Sequence, residues 1–370
     1  MRKIPLDYIR PGMQTAKRVY SASGHVLLNA GVKLTSGYIQ QLKKLGIPSL
    51  YIEDKFTEDI LIKDVIPDEL RMQTIKEVKN IFSKEVGSGK FTYQDAARME
   101  RAVQDIITEL ICNRAAVVNI TDIRSYDDYT YAHSVNVCIL AILAGLSMEL
   151  SKPSLYHLGM GALLHDIGKV QIPRAILNKP GKLTAEEFTV IKNHSTYSYN
   201  SLRKYEGISH LSALIAYEHH EKYDGSGYPK GLKQGEIHQL SQITGMVDMY
   251  DALTADRVYR KAFPPQEACE MIAAAGNYFF DFNIIDPFLR NIAPYPLGTF
   301  VELSNGCLGV VVEVEKGYPA NPTVRVLLDQ NKEPTSSYLI NLGEKLDLVI
   351  SQVVPENQLL KLEQGKLKAR

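Results

Sequence analysis

The chain has 370 residues, 45% hydrophobic and 23% charged, an ordinary globular composition with length enough for two or three cores. Lys and Arg total 42, as do Asp and Glu, so no global field draws the chain to duplex nucleic acid or an anionic membrane; any anion must meet a local cluster. Four scattered cysteines, Cys112, Cys138, Cys269 and Cys307, form no CxxC pair, which argues against a zinc knuckle or a disulfide framework and for a reducing compartment.

Residues 1–60 read as a small α+β module. Gly12, Gly24 and Gly31 punctuate strand-like pieces such as Val26-Leu27-Leu28, residues 35–45 have helical spacing, and residues 49–53 look like a closing strand. No apolar stretch of signal-peptide type follows the charged start, so a cytoplasmic protein is expected. Residues 61–119 hold two helical segments, read as connector or dimerisation helices. Pro67 opens the first, in which Met72, Ile75, Val78 and Phe82 keep helical spacing. Gly87 and Gly89 break it, and residues 93–118 form the second, with Val103, Ile107, Leu110 and Ile111 along one side. A bundle wall or a dimer contact is the preferred role.

Residues 120–293 are helical with short loops, with helices expected over 130–149, 154–167, 184–204, 209–222, 241–259 and 264–277. Thr184 and Glu187 have the spacing of a capping box. The most apolar stretch, 135–148, is too short to span a bilayer and is expected to be a buried helix, with no membrane insertion. After Pro294 and Pro296 the pattern turns to β-branched runs at 300–303, 309–314, 323–328 and 348–354. These predict a small barrel-like β module over 294–355, followed by a charged tail, 356–370, that frays.

Five of the nine histidines stand in one ordered series with two aspartates: His133, His165-Asp166, His194, His219-His220 and Asp248. Spread from residue 133 to 248, they share a site only if successive helices converge on it. A lone histidine on a helix is more often a core or surface residue than a ligand; the ordered set changes the balance. Imidazoles and carboxylates without thiolates suit iron, manganese, zinc, cobalt or nickel rather than calcium. Seven groups exceed the four of a structural zinc site and suffice for two ions. Buried Asp166 and Asp248 would each be costly without a cation or donor.

Lys169 lies near the same helical end as Asp166, where an ammonium can meet a phosphate oxygen. Asp224-Gly-Ser-Gly-Tyr-Pro229 is turn chemistry; starting so soon after His220, its glycine backbone at Gly227 would let substrate approach Tyr228. Arg257 and Arg260 share a face of a continuing helix, which alone would read as a solvated basic face; their position nine and twelve residues beyond Asp248 and guanidinium geometry favour phosphate or guanine contacts. His25, His157, His210 and His238 fit no ligand position.

The motifs His165-Asp166-Ile-Gly-Lys169, His219-His220-Glu221, Asp224-Gly-Ser-Gly-Tyr-Pro229 and Asp248-Met-Tyr-Asp-Ala-Leu-Thr254 together resemble the HD-GYP family over residues 120–293. Lys179-Pro-Gly-Lys-Leu-Thr184 and Asp256-Arg-Val-Tyr-Arg260 extend the resemblance into the flanks. It implies a multidomain, mainly α protein: an all-helical HD-type bundle between a small N-terminal α+β module and the C-terminal β-barrel-like module. It implies hydrolysis of cyclic di-GMP to linear pGpG, with a second cut to GMP left open, in bacterial second-messenger signalling. By resemblance His133, His165, Asp166, His194, His219, His220 and Asp248 hold the metals, with iron or manganese expected. Lys169, Gly227, Tyr228, Arg257 and Arg260 fall to the substrate, and Asp166 and Lys169 are catalytic. Members with a third metal have a glutamate four residues before the first histidine. Here Tyr129 holds that position, and Asp128 would point about 100° away on a helix, so two ions are expected.

The expected chemistry is direct hydrolysis, with Asp166 bridging the ions and Lys169 stabilising charge that develops on the phosphate. Two alternatives stand beside it: a sensor or adaptor that binds cyclic di-GMP without cleaving it, and an HD phosphohydrolase for another cyclic dinucleotide. A homodimer, and signalling partners reached through the terminal modules, are compatible with this reading.

Overall fold

The computed structural model of the chain describes residues 1–21, 25–60, 62, 64–86, 91–113, 129–179, 181–256, 261–345 and 347–364. Two units result: Met1–Asp64 with Arg290–Arg370, and Val65–Arg114 with Asp128–Leu289.

In the first unit, β1 (Arg2–Pro5), β2 (Val19–Tyr20), β3 (Val26–Leu28), α1 (Ser36–Lys44) and β4 (Ser49–Ile52) follow in order. β1 pairs antiparallel with β4, Ile4 opposite Leu50, and β2 pairs with β3. The Thr35 hydroxyl caps α1 by accepting from the Tyr38 N–H, and the helix packs Ile39 and Leu42 into one core with Ile4, Leu6, Leu50 and Ile52.

The second unit is helical: α2 (Asp68–Val86), α3 (Tyr93–Cys112), α4 (Tyr129–Ser147), α5 (Lys152–Leu164), α6 (Arg174–Leu177), α7 (Ala185–Leu202), α8 (His210–Glu218), α9 (Gln239–Thr254), α10 (Pro265–Ala274) and α11 (Phe282–Leu289). A helix that is apolar all round must be covered all round. Accordingly α4 lies in the middle, against α2, α3, α5, α9 and α11, with Val137, Ile139, Leu140 and Ile142 fully buried. Thr130–Ser147 has the length and mean hydropathy, 1.4, of a membrane span, but 72% of it is buried inside the fold, as befits a core helix. The α2–α3 pair is a wall of this bundle, burying Ile75, Val78, Ile81 and Phe82 from one helix and Met99, Val103, Ile106 and Leu110 from the other. α7 starts in the capping box that Thr184 and Glu187 predict. α5 and α8 stop short of the expected ends, at Leu164 and Glu218, and the residues after those ends build the site.

The C-terminal strands β5 (Phe300–Leu303), β6 (Leu308–Glu313), β7 (Thr323–Leu328), β8 (Pro334–Asn341) and β9 (Ile350–Val353), with α12 (Glu356–Gln364), complete the first unit. They form an antiparallel sheet in the order β8-β7-β6-β5-β9. The expected barrel-like closure is not made: β8 and β9 stand at opposite edges, and among the described residues no pairing joins them. The middle strands are covered on both faces, which is why they read as unbroken β-branched runs. Phe300, Val310 and Leu328 face Val354, Leu359 and Phe56, while Val301, Val311, Val324 and Val326 face Leu342 and Ile340. Leu359 anchors α12, so the tail is a docked helix as far as Gln364; residues 365–370 lie outside the described set.

Candidate metal centre

Two helix ends and three helix faces converge in the second unit. α5 ends at Leu164, and the chain tightens through His165 and Asp166 into a 3-10 turn over Ile167–Gln171. α8 ends at Glu218, just before His219 and His220. His133 comes from α4, His194 from α7 and Asp248 from α9. Glycines allow the approach. A Cβ on Gly168 would sit 2.2 Å from the His194 carbonyl oxygen, and one on Gly245 would sit 2.2 Å from that of His219. The Ser198 hydroxyl fastens the same joint, donating to the His165 carbonyl and accepting from the Gly168 N–H.

The hydrogen bonds set the tautomers. Nδ1 of His165, His194 and His219 lies 2.7, 2.7 and 2.9 Å from the carbonyl oxygens of Ala162, Ile191 and Ala216. A carbonyl only accepts, so each Nδ1 carries the proton and each neutral ring turns an Nε2 lone pair inward. His133 does the same with its Nδ1 on the Asp251 carboxylate, 2.7 Å away. The inward atoms then crowd each other. His194 Nε2 and His219 Nε2 are 3.4 Å apart, and His133 Nε2 is 3.0 Å from Asp248 Oδ1. Ligand atoms at about 2.1 Å from a shared ion lie about 3.0–3.4 Å from one another. His165 Nε2 and Asp166 Oδ1 are buried and find no hydrogen-bond partner among the described residues. Facing lone pairs and orphaned acceptors are unfavourable among themselves and fit a divalent cation, so the donor set suits the metals that the HD-type reading requires.

The set divides into overlapping triads: His133, His165 and Asp166; His165, His219 and Asp248; and His194, His219 and His220. Asp166 lies between them, its Oδ2 3.3 Å from His165 Nε2 and its Oδ1 3.4 Å from His194 Nε2. Burial pushes His194 down to about 4 and His220 to about 3, and holds His219 well below its ordinary value; neutral rings are the ligating form. Burial alone would raise Asp166 and Asp248. The surrounding histidines, joined for Asp166 by Lys169, outweigh it and keep both carboxylates ionised.

One side of the cluster opens to solvent. Lys169, at 27% exposure, places its ammonium 2.5 Å from Asp166 Oδ2, and the His220 and Asp248 side chains are 25% and 15% exposed. Tyr228 closes this side, its ring 4.7 Å from that of His220. Burial, then the charges of Asp248 and Asp166, push its hydroxyl well above the usual tyrosine range, so it stays a donor. The loop is held by Glu221, which had no assigned role in the sequence: its buried carboxylate accepts from the N–H groups of Lys230 and Leu232 at 2.6 and 2.9 Å. Gly227 is sterically required, since a Cβ there would lie 2.5 Å from the His220 carbonyl oxygen.

The structure thus gathers His133, His165, Asp166, His194, His219, His220, Asp248, Lys169, Gly227 and Tyr228. Arg257, Arg260, Asp128 and the Tyr129 side chain lie outside the described residues. His157, His210 and His238 serve elsewhere, bonded to Ser209, Tyr199 and the Leu240 N–H. Asp251 and Asn136, behind His133, went unassigned in the sequence; the three-residue step from Asp248 was the readable signal for the first.

Comparison with known proteins agrees. Residues 118–284 match the HD domain family model, and residues 300–362 match a KOW domain associated with the HD domain. A cyclic di-GMP phosphodiesterase of Pseudomonas aeruginosa is 36% identical over 250 residues, 67% of this chain and 60% of that protein. A 3'3'-cGAMP-specific phosphodiesterase of Vibrio cholerae is 39% identical over 159 residues, 43% of this chain and 34% of that protein. The chain therefore spans less than two thirds of the length of either relative. An HDG"Y"P protein of Bdellovibrio bacteriovorus superposes with a TM-score of 0.50 at 16% identity, covering 78% of this chain and 98% of its own, a likeness of fold. With the family model seated on the helices that gather the His/Asp cluster, residues 118–284 are similar to the HD domain family, and the ordered motifs within them resemble those of the HD-GYP branch.

Proposed function

We propose that the chain is a metal-dependent phosphodiesterase that hydrolyses cyclic di-GMP to linear pGpG, at two divalent ions held by His133, His165, Asp166, His194, His219, His220 and Asp248. The observation that carries this reading is the inward ring of Nε2 lone pairs around the two oxygens of Asp166, with its one open side under Tyr228 and Lys169. The all nitrogen and oxygen donor set fits iron or manganese. Bound there, such ions supply Lewis acidity towards a phosphoryl oxygen and a water acidified to near neutrality.

The chain's own residues do the rest. Asp166 offers one oxygen to each half of the cluster. The backbone carbonyls of Ala162, Ile191 and Ala216 fix the three rings, so no reorientation accompanies reaction. Lys169 stands at the open side, where its ammonium can leave Asp166 for a phosphate oxygen as negative charge builds. The protonated Tyr228 hydroxyl is a fixed donor on the same side, and its ring closes the pocket over His220.

The test is turnover by purified protein loaded with Mn2+ or, anaerobically, Fe2+, with products separated by chromatography. Cyclic di-GMP is expected to give pGpG, and the His165→Ala/Asp166→Asn variant to give background. Binding without turnover in the metal-loaded protein would instead establish the sensor reading. The cGAMP-specific relative favours running 3'3'-cGAMP in parallel; its preferential hydrolysis would move the substrate assignment while leaving the metal centre intact.

A further inference from the structure

We propose that Arg71, on a helix that lies before the segment matched by the HD domain family model, is a positioning residue for the metal centre, acting on His133 through Asn136 and Asp251. Arg71 is buried on α2 and donates from Nη1 to Asn136 Oδ1 at 2.5 Å. Asn136 Nδ2 donates to Asp251 Oδ1 at 3.3 Å, and Asp251 Oδ2 accepts from His133 Nδ1 at 2.7 Å. His133 then directs Nε2 at Asp248 and Asp166, 3.0 and 3.8 Å away. All four members of the relay are at most 4% exposed.

The donor and acceptor roles along the relay follow from the groups that compose it. A guanidinium only donates, so the amide oxygen of Asn136 must face Arg71 and the amide nitrogen must face Asp251. The Asp251 carboxylate only accepts, which places the proton on Nδ1 of His133 and the lone pair on Nε2. With Arg71 absent, the Asn136 amide can turn over and present its oxygen to the Asp251 carboxylate. That repels the carboxylate and loosens the His133 ring that it orients. Groups behind a ligating histidine typically change metal affinity or activity by about 10–100-fold. The effect should be local, because His194 and His219 are oriented by backbone carbonyls and owe nothing to this relay.

The test is a Mn2+ titration of chelator-stripped, full-length protein, followed by calorimetry and Mn2+ electron paramagnetic resonance, with thermal melting of the same samples. Wild type should bind two equivalents. Arg71→Met is expected to weaken one of them by about 10–100-fold and the other by less than twofold, and Arg71→Lys, which keeps the donor and the charge, to restore most of the loss. Should Arg71→Met fail to fold, Asn136→Leu breaks the same relay from inside and should give the same one-site loss. Unchanged affinity for both ions in either variant, or equal weakening of both in step with a lowered melting temperature, overturns the proposal. The kinetic arm rests on the phosphodiesterase reading: kcat for cyclic di-GMP should fall with KM little changed. If wild type binds Mn2+ but does not turn over, that reading fails while the titration still decides the role of Arg71.

Discussion

Gly168 and Gly245 set how near the candidate ligands can come. Each abuts the backbone carbonyl of a histidine two helices would otherwise hold apart, with 2.2 Å left for an added Cβ. The obstacle is backbone, which cannot rotate away as a side-chain tip can. Gly168→Ala and Gly245→Ala should each destabilise the fold by about 1–3 kcal/mol and lower Mn2+ stoichiometry. Gly235→Ala, where an added Cβ meets nothing within 4 Å, should do neither. Denaturant melts with metal analysis on the same samples check this; wild-type metal content in Gly168→Ala would show that the spacing of His165 and His194 is not critical. At this scale the series of candidate ligands was legible because imidazole and carboxylate are chemically marked and their order survives in the sequence. The glycines, Asn136 and Arg71 carry no such mark: their meaning arises only when a partner from a distant helix is placed against them.

The junction of α2 and α3 shows how an element is held. Asp95 is the third residue of α3; its carboxylate accepts from the Thr92 N–H and hydroxyl, closing the capping box, and meets Lys84 of α2 and Arg98. Burial opposes its ionised form, yet Lys84, Thr92 and Arg98 together hold it well below the usual carboxylate range. The unfolded chain therefore takes up a proton near pH 4 that the folded chain refuses, so this contribution is complete above that pH and is lost as pH falls below it. Asp95→Asn should cost about 1–2 kcal/mol at neutral pH, chiefly from the cap and its partly exposed partners. It should also make stability fall less steeply than wild type below about pH 4, measured by urea melts across pH 3–7. Parallel slopes in the two proteins would discount Asp95 as a titrating contact. The helices with strong caps and clean periodicity were readable in the sequence. α11 was not, because Pro287 argues against a helix that tertiary packing of Ile284, Ile285 and Phe288 enforces. Likewise β8 is polar and exposed along much of its length and shows no buried-strand pattern.

At the scale of the whole molecule, the chain's two ends build one unit. Arg2 Nε lies 2.7 Å from Asp54 Oδ2 and its Nη1 3.2 Å from Glu356 Oε1, while its guanidinium lies over the Phe300 ring. Phe56 packs edge-on to Phe300, and Arg325 forms a paired contact with Asp59. No local pattern announces contacts between residue 2 and residue 356, which is why the sequence reads as two separate modules. The arrangement has a measurable consequence. Arg2, Asp54 and Glu356 are 5%, 7% and 14% exposed, so Arg2→Met would leave two carboxylates buried together without their cation. Breaking a buried pair in this way typically costs about 3–5 kcal/mol, most of it the penalty of the abandoned charge. Neutralising the acids as well, in Arg2→Met/Asp54→Asn/Glu356→Gln, should then recover much of the loss, because replacing a whole buried ionic set is often close to neutral. Mn2+ stoichiometry, carried by residues of the other unit, should stay at the wild-type value throughout. If the triple variant melts no higher than Arg2→Met, the loss comes from packing of the Arg2 stem on Phe300 rather than from stranded carboxylates.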